Sequence, residues 1–119
     1  MRLIWTAVLV LVCAGTAQAN PITGDYGDAG GCARLTGALP TGDMVFILTP
    51  DRIDRYETSC DISTIQTMDG APVVLEVSCS GEGEFWTDSY AISPLTGEDG
   101  YLIGPLDAPD IRFELRRCE

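Results

Sequence analysis

The stretch Cys60-Asp61-Ile62-Ser63-Thr64-Ile65-Gln66-Thr67-Met68-Asp69-Gly70-Ala71-Pro72-Val73-Val74-Leu75-Glu76-Val77-Ser78-Cys79 decides the fold. Asp-Gly is a strong hairpin signal, because a type I′ turn needs positive φ at both central positions. Cys60 lies nine residues before Asp69, and Cys79 lies nine after Gly70. With Asp69-Gly70 as a two-residue turn, paired numbers sum to 139 and Cys60 faces Cys79. One face then carries Cys60, Ile62, Thr64, Gln66 and Met68 against Cys79, Val77, Leu75, Val73 and Ala71. The other carries Asp61, Ser63, Ile65 and Thr67 against Ser78, Glu76, Val74 and Pro72. The first face is more apolar and holds both cysteines, so it is the core side. Pro72 falls opposite Thr67 at a non-hydrogen-bonded pair, where its missing N–H is not needed. The same count makes Cys60–Cys79 a hydrogen-bonded pair with Cα atoms about 5.5 Å apart. A bulge near Ser59 or Ser80 would relieve that flat geometry.

Outward from this hairpin the chain reads as short strands punctuated by turns. Residues 43–49 (DMVFILT) are a continuous apolar run of strand length, central in a sheet or covered on both faces. Residues 52–68 begin polar, with Ile53 and Tyr56 as anchors. After Gly81-Glu82-Gly83-Glu84, residues 85–92 place Trp86, Tyr90 and Ile92 on one face and Phe85 and Ala91 on the other. Residues 96–100 form a further turn, 101–103 a short return arm that Pro105 stops, and 107–110 another turn. The last strand, 111–118, alternates Ile111, Phe113 and Leu115 against Arg112, Glu114 and Arg116. Cys118 falls on its polar phase, which calls for a twist or bulge at Arg117. The pattern predicts an all-β domain: an antiparallel meander of about six strands that closes into a barrel or a compact sandwich.

The ends frame this domain. Residues 1–19 carry Arg2, an apolar core and Ala17-Gln18-Ala19, the form of a cleaved signal peptide that includes Cys13. The apolar run is short for a membrane span and lacks basic anchors, so no span is expected after cleavage. Residues 20–42 are rich in Gly, Asp and Thr and read as a loosely structured N-terminal arm, with 32–35 either a helical turn or a short strand. Residues 43–119 form one β domain. The exported chain keeps Cys32, Cys60, Cys79 and Cys118, an even set that reads as two disulfides in an oxidising compartment, periplasmic or secreted. Their spacing lacks the close pairs of a zinc site. Cys60–Cys79 follows from the hairpin and leaves Cys32–Cys118 by elimination, with the other two connectivities open.

Charge bounds the partners. The chain has 18 acidic residues, seven arginines, and neither lysine nor histidine, for a net charge of −11 that becomes −12 once Arg2 departs. Such a surface repels nucleic acid and anionic lipid and attracts a basic protein. Acidity also serves simple solubility.

Glu57-Thr58-Ser59-Cys60-Asp61-Ile62, Cys79-Ser80-Gly81-Glu82-Gly83 and Arg117-Cys118 together resemble a loose group of small exported bacterial proteins with an E-x-x-C-x-[IV] … C-x-x-E-G … R-C pattern. The group has no assigned activity, so the resemblance implies export and disulfides only. In size and class the chain is also similar to periplasmic lysozyme inhibitors and small barrel inhibitors of secreted metalloproteases. That similarity is architectural and transfers no inhibitory residue.

The chemistry is mainly one of exclusions. Without histidine there is no Ser-His-Asp or Cys-His nucleophile, and without lysine no Schiff base. No C-x-x-C redox pair or phosphate-cradling loop is present. Carboxylate pairs at Glu82/Glu84 or near Asp88 read as solvated surface, and calcium at Glu98-Asp99 or Asp107/Asp110 lacks a spaced loop. No cofactor and no metal are expected, and the protein is read as a non-enzyme. The candidate protein-binding segment is Glu82, Glu84, Phe85, Trp86, Asp88 and Tyr90, acidic residues interleaved with aromatics that anchor interfaces. The competing reading places Trp86 and Tyr90 in the core. The expected function is an acidic binding module, an inhibitor or binder of a basic exported protein such as a lysozyme. The alternatives are an accessory component of a cell-envelope complex and a barrel carrying an apolar ligand.

Overall fold

A computed structural model describes residues 20–37, 44–67 and 73–119. Eight strands follow one another around a closed antiparallel barrel: β1 (Tyr26–Gly27), β2 (Phe46–Leu48), β3 (Arg52–Arg55), β4 (Thr58–Gln66), β5 (Val73–Gly81), β6 (Glu84–Pro94), β7 (Gly100–Pro105) and β8 (Phe113–Arg117). The barrel is the form left open by the sequence alternatives, and it has two strands more than expected. One is β3, split from β4 by a tight turn at Tyr56-Glu57 that contains neither Gly nor Pro. The other is β1, which pairs with both β2 and β8 and so removes the sheet's edges.

Alternation explains most of the core. Tyr26, Phe46, Leu48, Ile53, Cys60, Leu75, Val77, Tyr90, Ile92, Ile103 and Leu115 point inward and are buried. The apolar run at β2 is covered on both faces: Val45 and Ile47 are buried as well, and helix α1 (Ala29–Leu35) lies across this strand. A Cβ added at Gly31 would come within 2.2 Å of the Phe46 carbonyl oxygen, so glycine permits that approach. The N-terminal arm is therefore not loosely structured over residues 26–35. Asp28 caps α1, and its Oδ1 accepts from Gly31 N at 2.6 Å and from Phe46 N at 3.0 Å.

The clipped hairpin holds where it is described. Cys60 pairs with Cys79 and Ile62 with Val77, both in the expected register. The register then shifts across Ser63, so Thr64 faces Glu76, Ile65 faces Leu75 and Gln66 faces Val74. Thr64 and Gln66 are accordingly exposed, not on the core face, and Ile65 packs against the core instead. A one-residue bulge moves a strand's side chains to the other face, which brings the isoleucine in. The bulge is at Ser63, not near Ser59 or Ser80. The Cys60 and Cys79 Cα atoms are 3.9 Å apart, short of a hydrogen-bonded pair, because the count from the turn runs through the bulge. The turn Asp69-Gly70, with Met68, Ala71 and Pro72, lies outside the described residues, as does the signal segment.

Both disulfides form, Cys60–Cys79 across the hairpin and Cys32–Cys118 across the barrel seam. No twist at Arg117 is needed. Cys118 keeps the outward phase and meets Cys32 because α1 lies outside the barrel. Two such bonds indicate an oxidising, extracytoplasmic environment. Among the described residues no helix is long and apolar enough to cross a membrane.

Candidate functional site

The two ends of the barrel differ. At one end the N-terminal segment folds over the core: Ile22 is buried, and the Tyr101 hydroxyl donates to the Pro21 carbonyl at 2.8 Å. Beside it, Tyr26 donates to Asp99 Oδ1 at 2.9 Å, and Arg117 donates to the Tyr26 hydroxyl at 3.0 Å and to Asp99 Oδ2 at 2.5 Å. Those contacts close that end.

The opposite end is open and carries the candidate site. Two tight turns project there. In the β5–β6 hairpin, Gly81 pairs with Glu84, leaving Glu82-Gly83 as a two-residue loop with φ of 50° and 79°. Positive φ at both positions is the type I′ geometry that matches strand twist. In the β3–β4 hairpin, Arg55 pairs with Thr58 around Tyr56-Glu57, with Glu57 at φ 55°. The turns abut, since a Cβ at Gly81 would lie 2.6 Å from the Glu57 carbonyl oxygen.

Strand alternation then divides the predicted segment. Trp86, Asp88 and Tyr90 take the inward phase of β6, while Phe85 faces outward, Glu82 sits in the turn and Glu84 follows it. The core reading of the aromatics holds for Tyr90, which is 8% exposed. Trp86 is 38% exposed at the rim, and Phe85 is 87% exposed. Trp86, Asp88 and Tyr90 line a recess of about 330 Å³ at the barrel mouth, together with Arg55, Phe46 and Phe113.

Arg55 is the residue of this candidate site that sequence reasoning missed. It is the cross-strand partner of Phe46, and its guanidinium carbon sits 4.3 Å from the Phe46 ring centre and 5.1 Å from that of Phe113. Burial pushes the Tyr90 hydroxyl's pKa up; Arg55 opposes that shift by charge and hydrogen bonding, and the Asp88 charge reinforces it. The available signal was the alternation Ile53, Arg55, which becomes legible once Tyr56-Glu57 is recognised as a turn. Tyr56 and Met44 add exposed apolar surface at the same mouth.

The site combines one cation, rim carboxylates and aromatic walls. It contains no nucleophile paired with a base. Among the described residues no group of three or more Cys, Asp or Glu side chains is placed to hold a metal ion. Comparison with protein-family models, with curated proteins and with solved structures finds no match to this chain.

Proposed function

We propose that this is an exported acidic binding domain, periplasmic or secreted, that acts by docking on a basic protein through its open end. The observation that carries the reading is the β5–β6 hairpin. It presents Phe85, almost fully solvated, on the outward face of β6, directly after Glu84 and the Glu82-Gly83 turn. An exposed aromatic on a rigid strand costs little ordering entropy when it enters a partner's pocket. At the same end Glu57, Glu82 and Glu84 lie in or beside the two abutting turns and Asp88 on the inward phase of β6, and none forms an ion pair among the described residues. Among the described residues the arginines that pair with carboxylates, Arg52, Arg116 and Arg117, lie elsewhere. The uncompensated charge at this end would steer a cationic partner toward the hairpin. An inhibitor of a basic exported enzyme, a lysozyme among them, is the partner class this favours. The mid-barrel interior is filled by Leu48, Ile53, Leu75, Ile103 and Leu115, which supports surface docking over carriage of an apolar cargo.

The test is calorimetric titration of the exported, oxidised protein against a lysozyme at low and physiological salt. Binding should weaken steeply with salt, and Phe85→Ala should weaken it roughly tenfold or more, as a central aromatic anchor does. Absence of binding, or binding indifferent to both salt and Phe85, overturns the reading.

A further inference from the structure

We propose that the barrel-mouth recess is a binding site for a small organic monocarboxylate, with Arg55 as the anion anchor and the surrounding aromatic rings as walls for its apolar body. This goes beyond the docking role and uses the inward face of β6, not the projecting turn.

The argument begins with how arginines are used in this chain. Arg52 pairs with Asp54 and Asp61, Arg116 with Glu98 and Glu114, and Arg117 with Asp99. Arg112 donates to the carbonyls of Pro105, Ala108 and Ile111. Arg55 is half-buried inside the barrel phase, yet no carboxylate makes an ion pair with it among the described residues. In so acidic a chain, a half-buried guanidinium with no carboxylate ion pair among the described residues is left with capacity to spare.

Its geometry says where that capacity points. The Phe46 and Phe113 rings lie against the guanidinium, and Tyr90 is its polar neighbour. A guanidinium carries five N–H donors in its plane, which ring contacts over its face leave free. Arg55 lines the recess, and none of the described fully buried side-chain nitrogens or oxygens lacks a partner, so an unpaired guanidinium donor of Arg55 reaches solvent-accessible space and is not sealed in the core. A planar carboxylate is the group that matches this fork in bidentate fashion.

The walls narrow the class. About 330 Å³ suits a small molecule, at the lower end of ligand pockets. Trp86, Phe46 and Phe113 offer aromatic surface to a flat or branched apolar body. Asp88 at the rim adds a negative charge that disfavours dianions, which selects a monocarboxylate over phosphate or sulfate. Asp28 also borders the recess, but its Oδ1 already accepts from two backbone amides. The chain's remaining negative charge acts weakly at this distance, since exposed charges beyond about 8 Å are screened at physiological salt.

Phenylacetate is the probe, titrated into the exported, oxidised protein and followed by Trp86 fluorescence and the Arg55 Nε–H resonance. A saturable change should appear in both. Benzyl alcohol, which has a similar body without the carboxylate, and inorganic phosphate should bind at least roughly tenfold more weakly, the worth of a charge-assisted hydrogen bond. Arg55→Met, which keeps the stem over the rings, should lose binding to the same degree, and Asp88→Asn should tighten it severalfold. Because Asp88 is exposed, that second variant stays informative if Arg55→Met fails to fold. No saturable response to phenylacetate, an equal response to benzyl alcohol, or Asp88→Asn binding no tighter than the parent overturns the site.

Discussion

Arg117 lies directly across the β1–β8 seam from Tyr26, with its guanidinium carbon 5.3 Å from the Tyr26 ring centre and a nitrogen 3.0 Å from the hydroxyl. The strand this pair secures is only two residues long, so side chains supply much of what a longer ladder would. Tyr26→Phe removes the hydroxyl that links Arg117 to Asp99, and should cost about 1 kcal/mol in urea unfolding, the usual worth of one hydrogen bond. The hydrogen bonds from Arg117 and Tyr26 hold the Asp99 carboxyl below its ordinary range. A depressed carboxyl contributes stability that is complete above its unfolded value of about 3.9 and is lost as pH falls through the lower folded value. Asp99→Asn should therefore flatten the acid limb of a melting-temperature profile below about pH 4. An unchanged acid limb would show that the seam does not depend on this charge.

Breaking Cys32–Cys118 with paired alanines should destabilise the domain by up to about 4.5 kcal/mol, from a sequence separation of 86 residues. The loss should begin locally. Gly27 lies against both the Cys118 sulfur and the Cys32 amide, so its amide should lose exchange protection first. Uniform loss of protection across β1 to β8 would mean that the bond does not hold the seam.

The bulge makes Ile65 and Thr64 unequal. Ile65→Ala should cost about 2 kcal/mol, as a half-buried large-to-small change does. Thr64→Ala, at an exposed position, should fall within about 0.5 kcal/mol of the parent. Reversed costs would restore the uninterrupted hairpin register.

Tyr90 and Tyr101 should ionise late. Burial raises both phenols, with the Asp88 charge reinforcing the shift at Tyr90 and the Tyr26 and Asp99 charges reinforcing it at Tyr101. A raised acid contributes stability that is complete below its unfolded value, about 10, and is lost as pH rises through the folded one. An alkaline ultraviolet titration should show at least two phenols ionising late or only with unfolding, and Tyr90→Phe should remove one. All phenols titrating together near pH 10 would contradict the buried placement.

Much of the barrel was legible as a period of two. The inward placement of Tyr90 and Ile92, the outward one of Phe85, and Cys60 opposite Cys79 are local consequences of strand pleating. The site was legible only in part. Trp86, Asp88 and Tyr90 were found together because they share one strand, whereas Arg55 and Phe113 come from β3 and β8 and meet only when the barrel curls. The β3–β4 turn was missed because a left-handed Glu57 carries no glycine signature.

By itself the sequence determined the all-β class, the covered strand at β2, the clipped hairpin and the acidity of the surface. These depend on residue type and neighbours a few positions away. Tertiary structure alone decided that Tyr26-Gly27 closes the barrel, that Ser63 breaks the register, and that Cys118 reaches a helix on the outside. It also decided which end is sealed and which exposes Arg55. Closure joins residues about 90 positions apart, and strand tilt sets which side chains share a layer, so no local periodicity encodes either.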